Sequence, residues 1–164
     1  MVRKDPPYIG TMTDKFVEVT RDVTSSAPDL FTILTDPARH AEIDGSGMLV
    51  VADAPARITA VEQTFSMSMR DEQGRPYEVV NHVVAFEPDR QIAWSPARPD
   101  RDPLGVRWEW TLQPMGTGTR VTQRCDWSRV TDADYLARHN LPRVSTDKML
   151  STIDKVDALA ASNG

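Results

Sequence analysis

The stretch Val106–Trp127, VRWEWTLQPMGTGTRVTQRCDW, decides the fold. Met115-Gly116-Thr117-Gly118 is a turn signal between two alternating runs. Side chains alternate along a strand, so Val106, Trp108, Trp110 and Leu112 share one face, and Arg107, Glu109, Thr111 and Gln113 the other. In the second run Thr119, Val121, Gln123, Cys125 and Trp127 alternate with Arg120, Thr122, Arg124 and Asp126. Placing Pro114 opposite Thr119 sets Leu112 against Val121, Trp110 against Gln123 and Trp108 against Cys125. On the outer face Glu109 then meets Arg124 and Arg107 meets Asp126, two pairs of opposite charge. Such cross-strand pairs contribute roughly 0.2–1 kcal/mol each. A slip of one residue would turn an apolar face outward. Charge and burial therefore select the same hairpin. Its inner face is large, aromatic and slightly polar, which suits either core filling or the wall of a pocket.

The rest of the chain bounds what that hairpin belongs to. At 164 residues one domain is expected, with a core of real size. Apolar residues make up 40% and the net charge is −5, which argues against disorder and against a general nucleic-acid binder. The lone cysteine, Cys125, excludes an intrachain disulfide and fits a reducing compartment. On the inner face it reads as a buried, inert thiol. Residues 1–12 are polar, carry Pro6 and Pro7 and do not resemble a secretory signal. No run reaches the ~18 apolar residues of a membrane span. These features together predict a cytoplasmic protein.

Residues 1–15 are expected to form a flexible N-terminal arm, followed by one domain over 16–164. Phe16–Val23 reads as a strand, with Val17, Val19 and Val23 on one face and Arg21 interrupting it, as a pocket charge or as a strand end reaching solvent. Ser26, Pro28 and Asp29 start a helix that ends near Thr35. Asp36-Pro37 starts a second short helix to about Ile43, on which His40 stands four residues after Asp36 and reads as a capped surface histidine. Ser46 sits in a D-G-S-G turn and lacks a nucleophile motif. Strands are expected near Met48–Ala52, Gln63–Met69, Tyr77–Phe86 and Gln91–Ser95.

Pairing Met69 with Tyr77 sets Met67 against Val79 and Phe65 against Asn81. Pairing Phe86 with Gln91 sets Trp94 against Val83 and Ile92 against Ala85. The inward face is then Tyr77, Val79, Asn81, Val83 and Ala85. Val80, Val84 and Phe86 are left outward, to be covered by a partner or the arm, unless a bulge flips part of the strand. An inward Asn81 needs a partner: Gln123, a water, or a ligand carbonyl or hydroxyl. Pro96–Pro103 reads as a loop at a pocket mouth. Ser145–Ala161 is a helix, with Met149, Ile153, Val156 and Ala160 on one stripe that needs a sheet to cover it.

This order resembles the START-like helix-grip superfamily, also called SRPBCC or polyketide cyclase/dehydrase-like. The matching pieces are Ser26-Ala27-Pro28-Asp29-Leu30-Phe31, Leu34 to His40, Phe86-Glu87-Pro88 before Ile92-Ala93-Trp94, and the hairpin opened by Trp108-Glu109-Trp110. They span Phe16 to Ala161 and look most like small stand-alone actinobacterial members. The resemblance implies an α+β fold: a curved antiparallel sheet of about six or seven strands around a long C-terminal helix, with two short helices after the first strand. It also implies a cavity between sheet and helix. Members with oxygenase activity hold iron through histidines and a carboxylate. Here His40, His82 and His139 lack a metal-ligand spacing, so neither metal nor cofactor is expected.

Three functions stay open. The first is binding of a hydrophobic or aromatic small molecule, lipid- or polyketide-like, by Phe65, Met67, Met69, Tyr77, Trp94, Trp108, Trp110, Met149 and Ile153, with Asn81 and Gln123 as polar anchors. The second is a polyketide cyclase/dehydratase-type enzyme, for which Tyr77 is the candidate acid or base, ahead of His40 and Arg21. The third is a protein-interaction module, including a homodimer, built on Val80, Val84 and Phe86.

Overall fold

The computed structural model describes residues 8–53 and 55–162. One antiparallel sheet of eight strands runs in the order β1-β2-β8-β7-β6-β5-β4-β3. The strands are β1 (Tyr8–Met12), β2 (Phe16–Val23), β3 (Leu49–Asp53), β4 (Thr64–Arg70), β5 (Pro76–Glu87), β6 (Gln91–Ala97), β7 (Arg107–Met115) and β8 (Gly118–Asp126). Between β2 and β3 come α1 (Ala27–Leu34), a 3-10 turn (Pro37–Arg39) and α2 (His40–Ile43). The chain closes with α3 (Ala133–Arg138) and the long α4 (Thr146–Ser162). This is the helix-grip arrangement, with a sheet somewhat larger than the six or seven strands expected. Tyr8–Met12, placed by the sequence within a flexible arm over 1–15, instead pairs with β2. Residues 1–7 of that arm lie outside the described residues.

Local sequence accounts for the helices. Ser26 caps α1 by accepting the Asp29 N–H at 3.3 Å, with proline in the first turn. Ser145 accepts the Lys148 N–H at the start of α4. Met149, Ile153, Val156 and Ala160 are all at most 2% exposed, so the stripe read from spacing is the face α4 buries. α4 packs on α1, α2, β2 and β8. The Asp44–Gly45 turn after α2 sits so close to α4 that a Cβ on Gly45 would fall 2.3 Å from the Lys148 carbonyl oxygen. The Gly45 N–H donates to Thr152 Oγ1 at 2.9 Å, tying the turn to the helix.

The organising hairpin has the expected register: Trp108 opposite Cys125, Trp110 opposite Gln123, Leu112 opposite Val121. Its ion pairs differ. Glu109 is opposite Arg124, but Arg124 bonds Glu18 of β2 at 2.7 Å instead. Strand β8 has a neighbour on each side, and the β2 carboxylate, also opposite Arg124, wins the guanidinium. Asp126 turns to its own loop, accepting from the Ser128 N–H at 2.8 Å, and forms no ion pair with Arg107 among the described residues. Arg21 does not end in solvent; it reaches across to Asp154 of α4 as an ion pair.

The β4–β5 register is also as expected, Phe65 opposite Asn81 and Met67 opposite Val79. The β5–β6 pairing is not uniform. Trp94 does face Val83, but a bulge follows, and Phe86 pairs with Ile92 rather than Gln91. The extra residue flips the end of β5. Phe86 therefore turns inward onto Phe31, with ring centroids 5.5 Å apart. The expected outward surface of Val80, Val84 and Phe86 loses its largest member, and Val80 and Val84 are themselves partly buried.

Candidate functional site

A cavity of about 1100 Å³ lies on the inner face of the sheet, between it, α2, α3 and the start of α4. The strands supply its walls because inward positions alternate with outward ones. Phe65, Met67 and Met69 come from β4, Tyr77, Val79 and Asn81 from β5, Trp94 and Pro96 from β6. The organising hairpin adds Trp108, Trp110, Gln123 and Cys125. Helix α4 contributes Met149 and Thr152. Ile153, assigned to the site from its stripe, is buried at 1% exposure and is not part of the lining. It faces the core because α4 turns a slightly different side to the cavity than to α1 and β2. The other ten residues read as ligand-binding from the sequence do line this one space.

The mouth is polar. The segment 98–102, Leu104 and Arg143 border it, with α3 contributing Tyr135 and Arg138 and the residue after it, His139. Pro96 and Ala97, expected in the mouth loop, belong to β6, and the loop begins at Arg98. Tyr77 stands at this end. Burial raises its phenol above the ordinary range, and Arg143 opposes that shift. His139 packs on Tyr135 with ring centroids 4.3 Å apart. Burial, then Arg143, Arg138 and Arg98, hold its imidazole below the ordinary range. Asp71 is tied to Arg75 at 2.7 Å, and Asp132 accepts the Tyr135 N–H as the cap of α3.

His40 is the residue that sequence reasoning misplaced. Instead of a surface histidine it is 4% exposed and lines the cavity. Its ring stacks on Trp94 at 5.3 Å and meets the edge of Phe65 at 5.6 Å. Its Nε2 donates to the Leu34 carbonyl at 2.8 Å. Burial lowers its pKa, with the Leu34 bond, Asp36 and Asp44 opposing. The signal was present: Pro37, His40 and Ile43 are three apart and all three are buried, so they form one face. The Asp36 spacing drew attention to the wrong face.

Deep in the cavity wall the polar groups are unevenly satisfied. Trp110 Nε1 and Gln123 Oε1 are buried without a hydrogen-bond partner. Asn81, 7% exposed, forms no side-chain hydrogen bond to Gln123, the protein partner expected for it. Cys125 is 3% exposed, and burial pushes its thiol to about 12, with Asp126 and Glu109 adding to the shift. It is a wall group and holds its proton. Ser46 spends its hydroxyl on Asp44 at 2.6 Å and acts as a turn residue. No group of three or more His, Cys, Asp or Glu among the described residues could hold a metal ion. No helix among them is long and apolar enough to cross a membrane.

Comparison with known proteins agrees with this architecture. A protein from Mycobacterium smegmatis, Ms6760, superposes with a TM-score of 0.67 at 17% identity, covering 96% of this chain and 98% of that one. An AHSA1-like protein from Aeromonas hydrophila superposes with a TM-score of 0.57 at 12% identity, over 91% and 94% of the two chains. In sequence, the chain is 38% identical over 113 residues to the Mycobacterium tuberculosis protein Rv0088, covering 66% of this chain and 47% of that protein. It spans about half the length of the curated relatives it matches. Residues 24–152 match the family described as Activator of Hsp90 ATPase homolog 1-like protein. The match runs from the start of α1 into α4 and takes in every wall of the cavity, and the chain belongs to that family, within the START-like helix-grip superfamily.

Proposed function

We propose that this protein binds a hydrophobic or aromatic small molecule in the cavity between sheet and helices. The observation that carries the reading is the composition of the walls of a space of about 1100 Å³: Phe65, Trp94 and Trp108 for stacking and Met67 and Met69 for adaptable contact, beside His40, Asn81 and Gln123, under a charged mouth that includes Arg98, Arg138 and Arg143. Pockets of this kind enclose drug-sized ligands and orient them with a small number of polar atoms. Aromatic faces favour planar ligands, and methionines follow irregular outlines. The test is native mass spectrometry of freshly purified protein, joined to titration with 1,6-diphenylhexatriene, a hydrocarbon that fluoresces only in apolar surroundings. Saturable one-to-one binding, weakened by Trp108→Ala, is expected. A protein that takes up neither a co-purifying molecule nor the probe would exclude a binding cavity.

A second reading, a cyclase-type enzyme, is supported by Tyr77 at the cavity's polar end. Its raised pKa makes the phenol a donor rather than a base, able to polarise a ligand carbonyl. In that case Tyr77→Phe abolishes turnover of a poly-β-ketone while the hydrocarbon probe still binds. Turnover that survives the substitution would remove Tyr77 from the reaction.

A further inference from the structure

His40 carries information about the ligand that the apolar walls do not. Its Nε2 bonds the Leu34 carbonyl at 2.8 Å. A carbonyl only accepts, so the proton sits on Nε2. In the neutral ring Nδ1 is then a bare acceptor with its lone pair in the ring plane. Phe65 and Trp94 each contact the imidazole, and each other, so that the three rings fix its orientation. Among the described residues nothing donates to Nδ1. Nor is Nδ1 one of the sealed, partnerless atoms of the interior, and the residue stands on the cavity wall. Burial favours the uncharged ring, against the pull of Asp36 and Asp44.

We infer that the ligand carries a hydrogen-bond donor, a phenolic or enolic hydroxyl on an aromatic body, that donates to His40 Nδ1. This rests on the cavity reading above and narrows it. A guest without a donor strips water from Nδ1 and leaves a buried acceptor unmet, which costs affinity. A carboxylate brings only acceptors to an acceptor and fares no better. The stacked Trp94 face beside His40 suits a flat ring whose hydroxyl lies in its own plane.

The experiment uses the wild-type protein loaded with 1,6-diphenylhexatriene and displaced by 2-naphthol or by 2-methoxynaphthalene. The methyl ether is the more hydrophobic of the two but cannot donate. In wild type, 2-naphthol is expected to displace the reporter at about tenfold lower concentration, the worth of one good hydrogen bond. In His40→Phe the two are expected within about twofold of each other, each displacement being referred to that variant's own affinity for the reporter. As a check independent of any substitution, the ¹⁵N resonance of His40 Nδ1 in wild type is expected to move with 2-naphthol and to stay in place with the ether. Equal displacement by the two compounds in wild type, or equal ¹⁵N shifts, overturns the inference and leaves the cavity reading intact. Failure of the reporter and both naphthalenes to bind overturns the cavity reading, and the donor requirement with it.

Discussion

Trp110 and Gln123 face each other across β7 and β8, one with an unpartnered N–H and the other with an unpartnered carbonyl oxygen. Donor and acceptor are neighbours on one face and yet do not bond. Each buried orphan costs roughly 1–3 kcal/mol, so this pair is a local loss that the surrounding core offsets. Replacing Gln123 by Met keeps length and removes the acceptor. Gln123→Met is therefore expected to raise the stability of the ligand-free protein by about 1 kcal/mol, or about 2–4 °C in melting temperature for a chain of this size. Differential scanning fluorimetry reads the result. A lower melting temperature would mean that the amide contributes more than it costs.

Most of the fold could be read because burial and periodicity agreed. The β7–β8 register follows from one face of Trp108, Trp110 and Leu112, which any slip would expose. The α4 stripe follows from spacing alone. Legibility ended where a single residue changes the phase. The outward Val80, Val84 and Phe86 raised a bulge as one alternative, but no turn residue marks its place between Val83 and Ala85, where it sends Phe86 inward. The salt bridges could not be read from one hairpin, because Arg124 has a second neighbour in Glu18 that lies more than a hundred residues away. Most cavity walls were legible as alternation. His40 was not, since a short 3-10 turn running into α2 carries too few residues for a period to stand out. Strand β1 was hidden by a polar, proline-containing start.

The bulge makes a prediction of its own. Phe86 packs against Phe31 and the core cluster, whereas Val80 sits on the other side of the strand. Phe86→Ala is expected to cost about 3 kcal/mol, the lower end for a core phenylalanine because the ring is only partly buried. Val80→Ala is expected to cost under about 1 kcal/mol. Urea unfolding of both variants decides. Near-equal losses would place Phe86 on the outer face and remove the bulge.

Cys125 tests how dry the cavity floor is. Its thiol is pushed to about 12, so thiolate is scarce near neutrality. Ellman's reagent is expected to leave the native protein unmodified and to label one thiol promptly in denaturant. Rapid labelling of native protein would show that reagent reaches the floor and that the thiol ionises there.

Acid sensitivity follows from His40. The unfolded imidazole titrates near 6.5, and burial holds the folded one below that. As pH falls through 6.5, the unfolded chain takes up a proton first, so the group's contribution is complete above 6.5 and declines as pH drops toward the folded value. The limiting slope is about 1.4 kcal/mol per pH unit. Asp22, Asp71 and Asp126 are also held below their ordinary 3.8, but their contributions are lost only further down, as pH falls below that value. His139 shares the His40 window with a smaller effect, because it is far less buried. His40→Gln keeps an N–H for the Leu34 carbonyl and removes the titration. The loss of urea resistance as pH falls below about 6.5 is expected to be smaller in this variant than in wild type. A variant with the same acid slope as wild type would assign that slope to other groups and leave His40 without a part in it.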